Sequence, residues 1–121
     1  MGPEAKLYQK IKRNSDGISW IRIENLSLLG TPDLLGYNSS GHFFTVELKV
    51  SRSNSVRFSP HQIAFHKLHP KNSFILARHR THGACKMFSG SSILDLVACG
   101  FKLDSACCLS LDACSSYLDS L

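Results

Sequence analysis

The sequence predicts an α/β fold, and three observations carry that prediction. A chain of 121 residues, 43% of them hydrophobic, has material for one core and no room for a second. Runs of β-branched and aromatic residues cluster in the middle of the chain as three consecutive strand candidates. A strongly signalled helix follows them, and two further strands and another helix come after it, so the elements read α, βββ, α, ββ, α.

Residues 3–14 are the first predicted helix: Pro3 is tolerated in the first turn, good helix formers follow, and Asn14-Ser15-Asp16-Gly17 is the stop. Glu4, Leu7 and Ile11 share one of its faces. Ile18 to Glu24, Leu34 to Tyr37 and His42 to Val50 are the three strands of a meander, the last two joined around Asn38-Ser39-Ser40-Gly41. Ser59-Pro60-His61-Gln62 opens the second helix with an N-cap serine, a proline at the first position and a glutamine completing a capping box; it is expected to run to about His69, before Pro70. Ser73 to Arg80 and Ala84 to Phe88 are two more strands, and Ser91 to Cys99 is a third helix stopped by Gly100. Residues 1–121 are expected to form one domain, with its core over about 3–99 and a tail over 100–121 whose later half forms a short helix. That tail either packs on the body or supplies a subunit contact.

The chemistry concentrates in Phe43-Phe44-Thr45-Val46-Glu47-Leu48-Lys49-Val50. Alternation along a strand turns Val46, Leu48 and Val50 one way and Thr45, Glu47 and Lys49 the other, so one face is expected to be core and the other to carry charge. A carboxylate and an ammonium two residues apart on a rigid strand suit metal binding beside a water-orienting cation. With a three-residue loop and Gly41 left-handed, Asn38 pairs with His42, partner numbers sum to 80, and Asp33 comes to lie opposite Glu47. A four-residue loop would leave Asp33 diagonal to Glu47. Facing carboxylates repel, and a divalent cation between them makes the arrangement favourable.

Gly30-Thr31-Pro32-Asp33-Leu34-Leu35, then Glu47-Leu48-Lys49, then Gln62, with 13 residues between Asp33 and Glu47, resemble the PD-(D/E)XK nuclease superfamily. The glycine before Pro-Asp and the helix glutamine resemble its VRR-NUC and phage-type Holliday junction resolvase branches. The resemblance covers roughly residues 4–80 and implies a restriction-endonuclease-like fold, a central mixed sheet flanked by helices. It implies that Asp33, Glu47 and the backbone carbonyl of Leu48 bind Mg²⁺ or Mn²⁺, that Lys49 orients the attacking water and stabilises charge at phosphorus, and that Gln62 steadies Lys49 or a phosphate. A further metal-binding acid from the first helix is expected in this family; Glu4 fits, with Glu24 as its competitor. The implied activity is hydrolysis of branched DNA, with a four-way junction as the specific substrate. Symmetric cutting then requires a homodimer, for which the tail is the candidate contact.

Charge agrees with a polyanionic partner. Residues 1–90 hold 13 of the 14 Lys and Arg against five acids, and residues 91–121 hold one Lys against four Asp, so the body carries +8 and the tail −3. Arg52, Arg57, Lys67, Lys71, Arg78 and Arg80 flank the site in sequence and are expected to contact phosphates without reading bases. His61, His66 and His69 along the second helix are read as a solvated basic face, with DNA or metal contact as the alternative. Without paired ligand spacing, the five cysteines read as reduced, mostly buried thiols, against a zinc site drawing on His79, His82 and Cys85. With no apolar run long enough for a span or a signal segment, a soluble cytoplasmic protein is expected, in the host cytoplasm if phage-encoded. The alternatives are another repair or restriction-type nuclease of the same fold and a catalytically silent DNA-binding module.

Overall fold

The computed structural model describes residues 2–23, 29–81, 83–104 and 110–121. Glu24, His82, Cys107 and Cys108 lie outside these. The elements are α1 (Pro3–Arg13), β1 (Ser19–Arg22), β2 (Leu34–Tyr37), β3 (Phe43–Ser51), α2 (Pro60–Leu68), β4 (Ser73–His79), β5 (Cys85–Ser89), α3 (Ile93–Cys99) and α4 (Leu111–Asp119), with 3-10 turns at Gly90–Ser92 and Gly100–Lys102. Five strands form one mixed sheet in the order β1-β2-β3-β4-β5. Only β3 and β4 run parallel, because α2 carries the chain back between them; the other pairs are antiparallel.

The hairpin joining β2 and β3 has the expected register. Leu34 pairs with Val46 and Leu35 with Thr45, so partner numbers sum to 80. Gly41 has φ +80° and its amide bonds the Asn38 carbonyl, closing the three-residue loop. Asn38 Oδ1 accepts from the amides of Ser40 and His42, which holds the loop from inside.

Both sheet faces are covered: one is core, and the one that carries Glu47 and Lys49 packs a second cluster of its own. On the first face Leu34, Phe44, Val46, Leu48, Phe74 and Leu76 pack with Leu7, Tyr8 and Ile11 of α1 and with Cys114 and Leu118 of α4. On the second, Ile75, Ala77 and Phe88 pack with Val56, Ile93, Leu96 and Phe101. The parallel crossover places α2 over the face that carries Glu47, and such strands are covered on both sides. Beyond that cover, Ile21, Tyr37 and Phe43 stay exposed.

The tail packs on the body. Asn38 Nδ2 donates to the carbonyls of Leu118 and Leu121, Asp119 accepts from the amide and hydroxyl of Ser39, and Leu118 is fully buried. The outward positions of α4 include Asp112 and Ser116. Cys85 and Cys114 are buried and Cys99 is exposed. No helix among the described residues is long and apolar enough to cross a membrane.

Candidate active site

Four side chains predicted to act together meet at the junction of β2, β3 and the first turn of α2. The register places Asp33 one step before Leu34, opposite Glu47, and Asp33 Oδ2 accepts from the Leu48 amide at 2.8 Å. The carbonyl of a strand residue points to the same side as its amide, so the Leu48 carbonyl also faces Asp33. From the other side, Gln62 Nε2 donates to Glu47 Oε1 at 2.9 Å, and Gln62 Oε1 accepts from Lys49 Nζ at 2.9 Å. One amide thus bridges the acid and the amine that alternate along β3. Lys49 Nζ also stands 4.8 Å from the centre of the Phe58 ring, a cation–π contact.

Gln62 is held in that position by its own helix cap. Ser59 Oγ accepts from the Gln62 amide at 3.2 Å and Gln62 Oε1 accepts from the Ser59 amide at 3.0 Å, the reciprocal bonds of a capping box. Capping and site contact therefore belong to one side chain. Gly30 brings the Asp33 strand to the same helix turn: its φ is +83°, and a Cβ there would stand 2.4 Å from the His61 carbonyl oxygen.

Glu47 is 2% exposed. Burial first, then the hydrogen bond and the charge of Asp33, raise its pKa to about 9, against smaller opposing effects of Lys49 and Gln62. A buried acid facing a second carboxyl forms a centre short of positive charge. The donors are hard oxygens, two carboxylates and a strand carbonyl, which is the set Mg²⁺ or Mn²⁺ prefers. The residues fit such an ion.

Glu4 is exposed, which corrects the expectation that it points into the core with Leu7 and Ile11; at the frayed start of α1 it reaches outward. It lines a small hollow with Asp33 and Leu48 and also the adjoining cleft of about 470 Å³ beside Lys49, Arg52 and Arg57. Among the described residues no group of three or more His, Cys, Asp or Glu stands close enough to hold a metal ion together, so Glu4 does not complete a three-acid set with Asp33 and Glu47. Its competitor Glu24, and His82 of the alternative zinc site, lie outside the described residues.

The six predicted phosphate contacts part company. Arg52 and Arg57 line the cleft, and Arg78 and Arg80 line a second hollow next to it. Lys67 and Lys71 lie at the far end of α2 and just before β4, a strand of seven residues away from Arg80. Seven strand residues span about 23 Å. Proximity in sequence did not survive because Lys71 and Arg80 lie at opposite ends of β4. His66 also differs from expectation: it is 1% exposed, not solvated, and burial, with Lys49 and His69 adding to it, lowers its pKa to about 4. Its Nδ1 faces Ser73 Oγ, while Nε2, like Thr45 Oγ1, is buried with no hydrogen-bond partner among the described residues. Sequence reading missed Lys6 and Lys10, which share the second hollow with Arg78 and Arg80; their i, i+4 spacing on α1 was the available signal.

No protein-family model matches the sequence, and no curated protein does either. A solved structure does resemble it: Hjc of Archaeoglobus fulgidus, a Holliday junction resolvase from an archaeal hyperthermophile, is 14% identical, covers 73% of each chain and superposes with a TM-score of 0.52. With its mixed five-stranded sheet flanked by helices, the chain has the restriction-endonuclease-like fold of that enzyme.

Proposed function

We propose that this protein is a metal-dependent endonuclease that hydrolyses phosphodiester bonds in branched DNA, with the four-way junction as its substrate. The observation that carries the reading is the bonded chain Glu47–Gln62–Lys49 beside Asp33, with Lys49 on the wall of a cleft that Arg52 and Arg57 also line. The fold shared with a junction resolvase supports it. So does a body charge of +8, which favours a polyanion by counterion release.

In this reading Asp33, Glu47 and the Leu48 carbonyl would hold Mg²⁺ or Mn²⁺, and Glu4 lines the hollow that Asp33 and Leu48 share with it. When bound, the ion neutralises the two acids and polarises a phosphoryl oxygen. Lys49 is the residue that touches the reacting atoms: its ammonium, aimed by Gln62 and Phe58, orients the water and stabilises the charge that grows on phosphorus. Gln62 acts through Lys49 and Glu47 and is a positioning residue. Arg52 and Arg57 hold the scissile backbone, and contacts of this kind select shape over sequence. Cutting two strands symmetrically takes two such centres, hence a homodimer; a monomeric mass at micromolar concentration contradicts the pairing.

The test is a panel of four-way junction, flap, single strand and linear duplex incubated with Mg²⁺. Selective cutting of the junction supports the full reading. Equal cutting of linear duplex keeps the nuclease and removes the junction, and no cutting of any substrate removes both.

A further inference from the structure

Two depressions adjoin at the C-terminal end of β3, with Val50 as their common wall. The first, of about 470 Å³, holds Lys49, Arg52 and Arg57 and belongs to the centre already described. The second, of about 250 Å³, is built by α1 and by the end of β4: Lys6 and Lys10 from one side, Arg78 and Arg80 from the other, over a floor of Leu7 and Val50. No acid lines it. Lys6 and Lys10 are one helical turn apart, about 6 Å between their Cβ atoms, and so present two ammoniums to the same space.

Four like charges converging on one hollow repel one another, and the scaffold that imposes this is rigid: Leu7 is buried in the core, and the Arg80 amide bonds the Ser51 carbonyl at the end of β3. An anion between them relieves the repulsion. The apolar floor and the mixture of two guanidinium forks and two ammoniums suit a phosphate group, which the forks bind through paired hydrogen bonds. At the other end of α2 the surroundings differ. Lys67 lines a hollow whose remaining walls are His66, Pro70, Gly90, Ser91, Ile93 and Leu94, so no second cation faces it there.

We infer that the hollow of Lys6, Lys10, Arg78 and Arg80 is a second phosphodiester subsite, so that the DNA backbone leaves the acid centre across α1 and not along α2. This rests on the nuclease reading. It adds to that reading a direction for the substrate strand and assigns the two α1 lysines to binding.

Two charge-matched double variants test it: Lys6→Ala with Lys10→Ala, and Lys67→Ala with Lys71→Ala. Affinity for a four-way junction is measured in Ca²⁺ over a series of salt concentrations, and thermal melts confirm that both variants fold. Each pair removes two positive charges, so a difference between them reports position and not net charge. The α1 pair is expected to weaken binding at least tenfold and to make the salt dependence shallower by about two in log–log slope, one for each lost phosphate contact. The Lys67 and Lys71 pair is expected to stay within about twofold of the wild type. Equal losses in the two pairs, or a larger loss at Lys67 and Lys71, overturn the subsite and leave the nuclease reading standing. Wild-type protein that does not bind the junction removes both readings, and that outcome is visible before any variant is made.

Discussion

Gln62 Nε2 donates to Glu47 Oε1 across 2.9 Å, and the opposite end of the same amide accepts from Lys49, so one side chain of α2 spans the acid and the amine of β3. Replacing it disturbs two things at once. Gln62→Ala removes half of the capping box and leaves a buried carboxylate and an amine without that partner, a loss of about 1–2 kcal/mol in denaturant unfolding. Single-turnover cleavage is expected to fall about tenfold to a hundredfold with junction affinity held within about threefold. Unchanged cleavage would show that Gln62 is a cap and nothing more.

Glu47→Gln keeps the shape of the buried side chain and removes its capacity to ionise. With its pKa raised to about 9 the buried acid is already neutral at pH 7, so without metal the variant is expected to match the wild type in stability there. Mn²⁺ should raise the melting temperature of the wild type and leave that of the variant unmoved. A variant still stabilised by Mn²⁺ to the wild-type extent places the ion elsewhere.

His66, buried and held neutral with its pKa near 4 against an ordinary 6.5, makes a pH prediction. The unfolded chain binds a proton there that the folded chain refuses, so stability is complete above about pH 6.5 and falls as the pH is lowered towards 4. Fully expressed, that gap is worth about 3 kcal/mol. The groups that face the ring electrostatically are Lys49 and His69, both of which push the same way. Urea titrations between pH 4 and 7 should show this loss in the wild type and a correspondingly smaller one in His66→Gln. Parallel curves for the two proteins would mean that the ring titrates normally.

Gly30 is a packing requirement of the site. A methyl group there meets the His61 carbonyl at 2.4 Å in a backbone conformation that already disfavours a side chain, so Gly30→Ala is expected to lose more than about 2 kcal/mol and to separate the Asp33 loop from α2. Gly2, with nothing within 4 Å, is the control: Gly2→Ala should change stability by less than about 0.5 kcal/mol.

How much of this was legible in the sequence depended on whether the cause was local. The Gly41 turn set the β2–β3 register within five residues, so Asp33 and Glu47 could be brought together from short-range rules; the Ser59-Pro60 start of α2 carried its own cap, but Gln62 joined them only through the family resemblance. Strand alternation told which side of β3 carried Glu47, but not that α2 would lie on it and bury the acid, because that cover comes from the crossover to β4. Distance along the chain also misled: Lys71 and Arg80 seemed to share one place and stand at opposite ends of β4, whereas Lys6, some forty residues upstream of Lys49, lines a hollow beside the site. The tail stayed ambiguous because its partners, Asn38 and Ser39, are 80 residues away in sequence.

The most direct test compares wild type with Lys49→Ala on a four-way junction, reading single-turnover cleavage in Mg²⁺ and binding in Ca²⁺ on the same preparations. Because the amine acts on the charge that forms during reaction, the variant should bind within about threefold of wild type and cut at least a thousandfold more slowly. Cleavage that persists without the amine, or a fall in cutting that merely follows an equal fall in binding, would contradict a catalytic centre built on Asp33, Glu47 and Lys49.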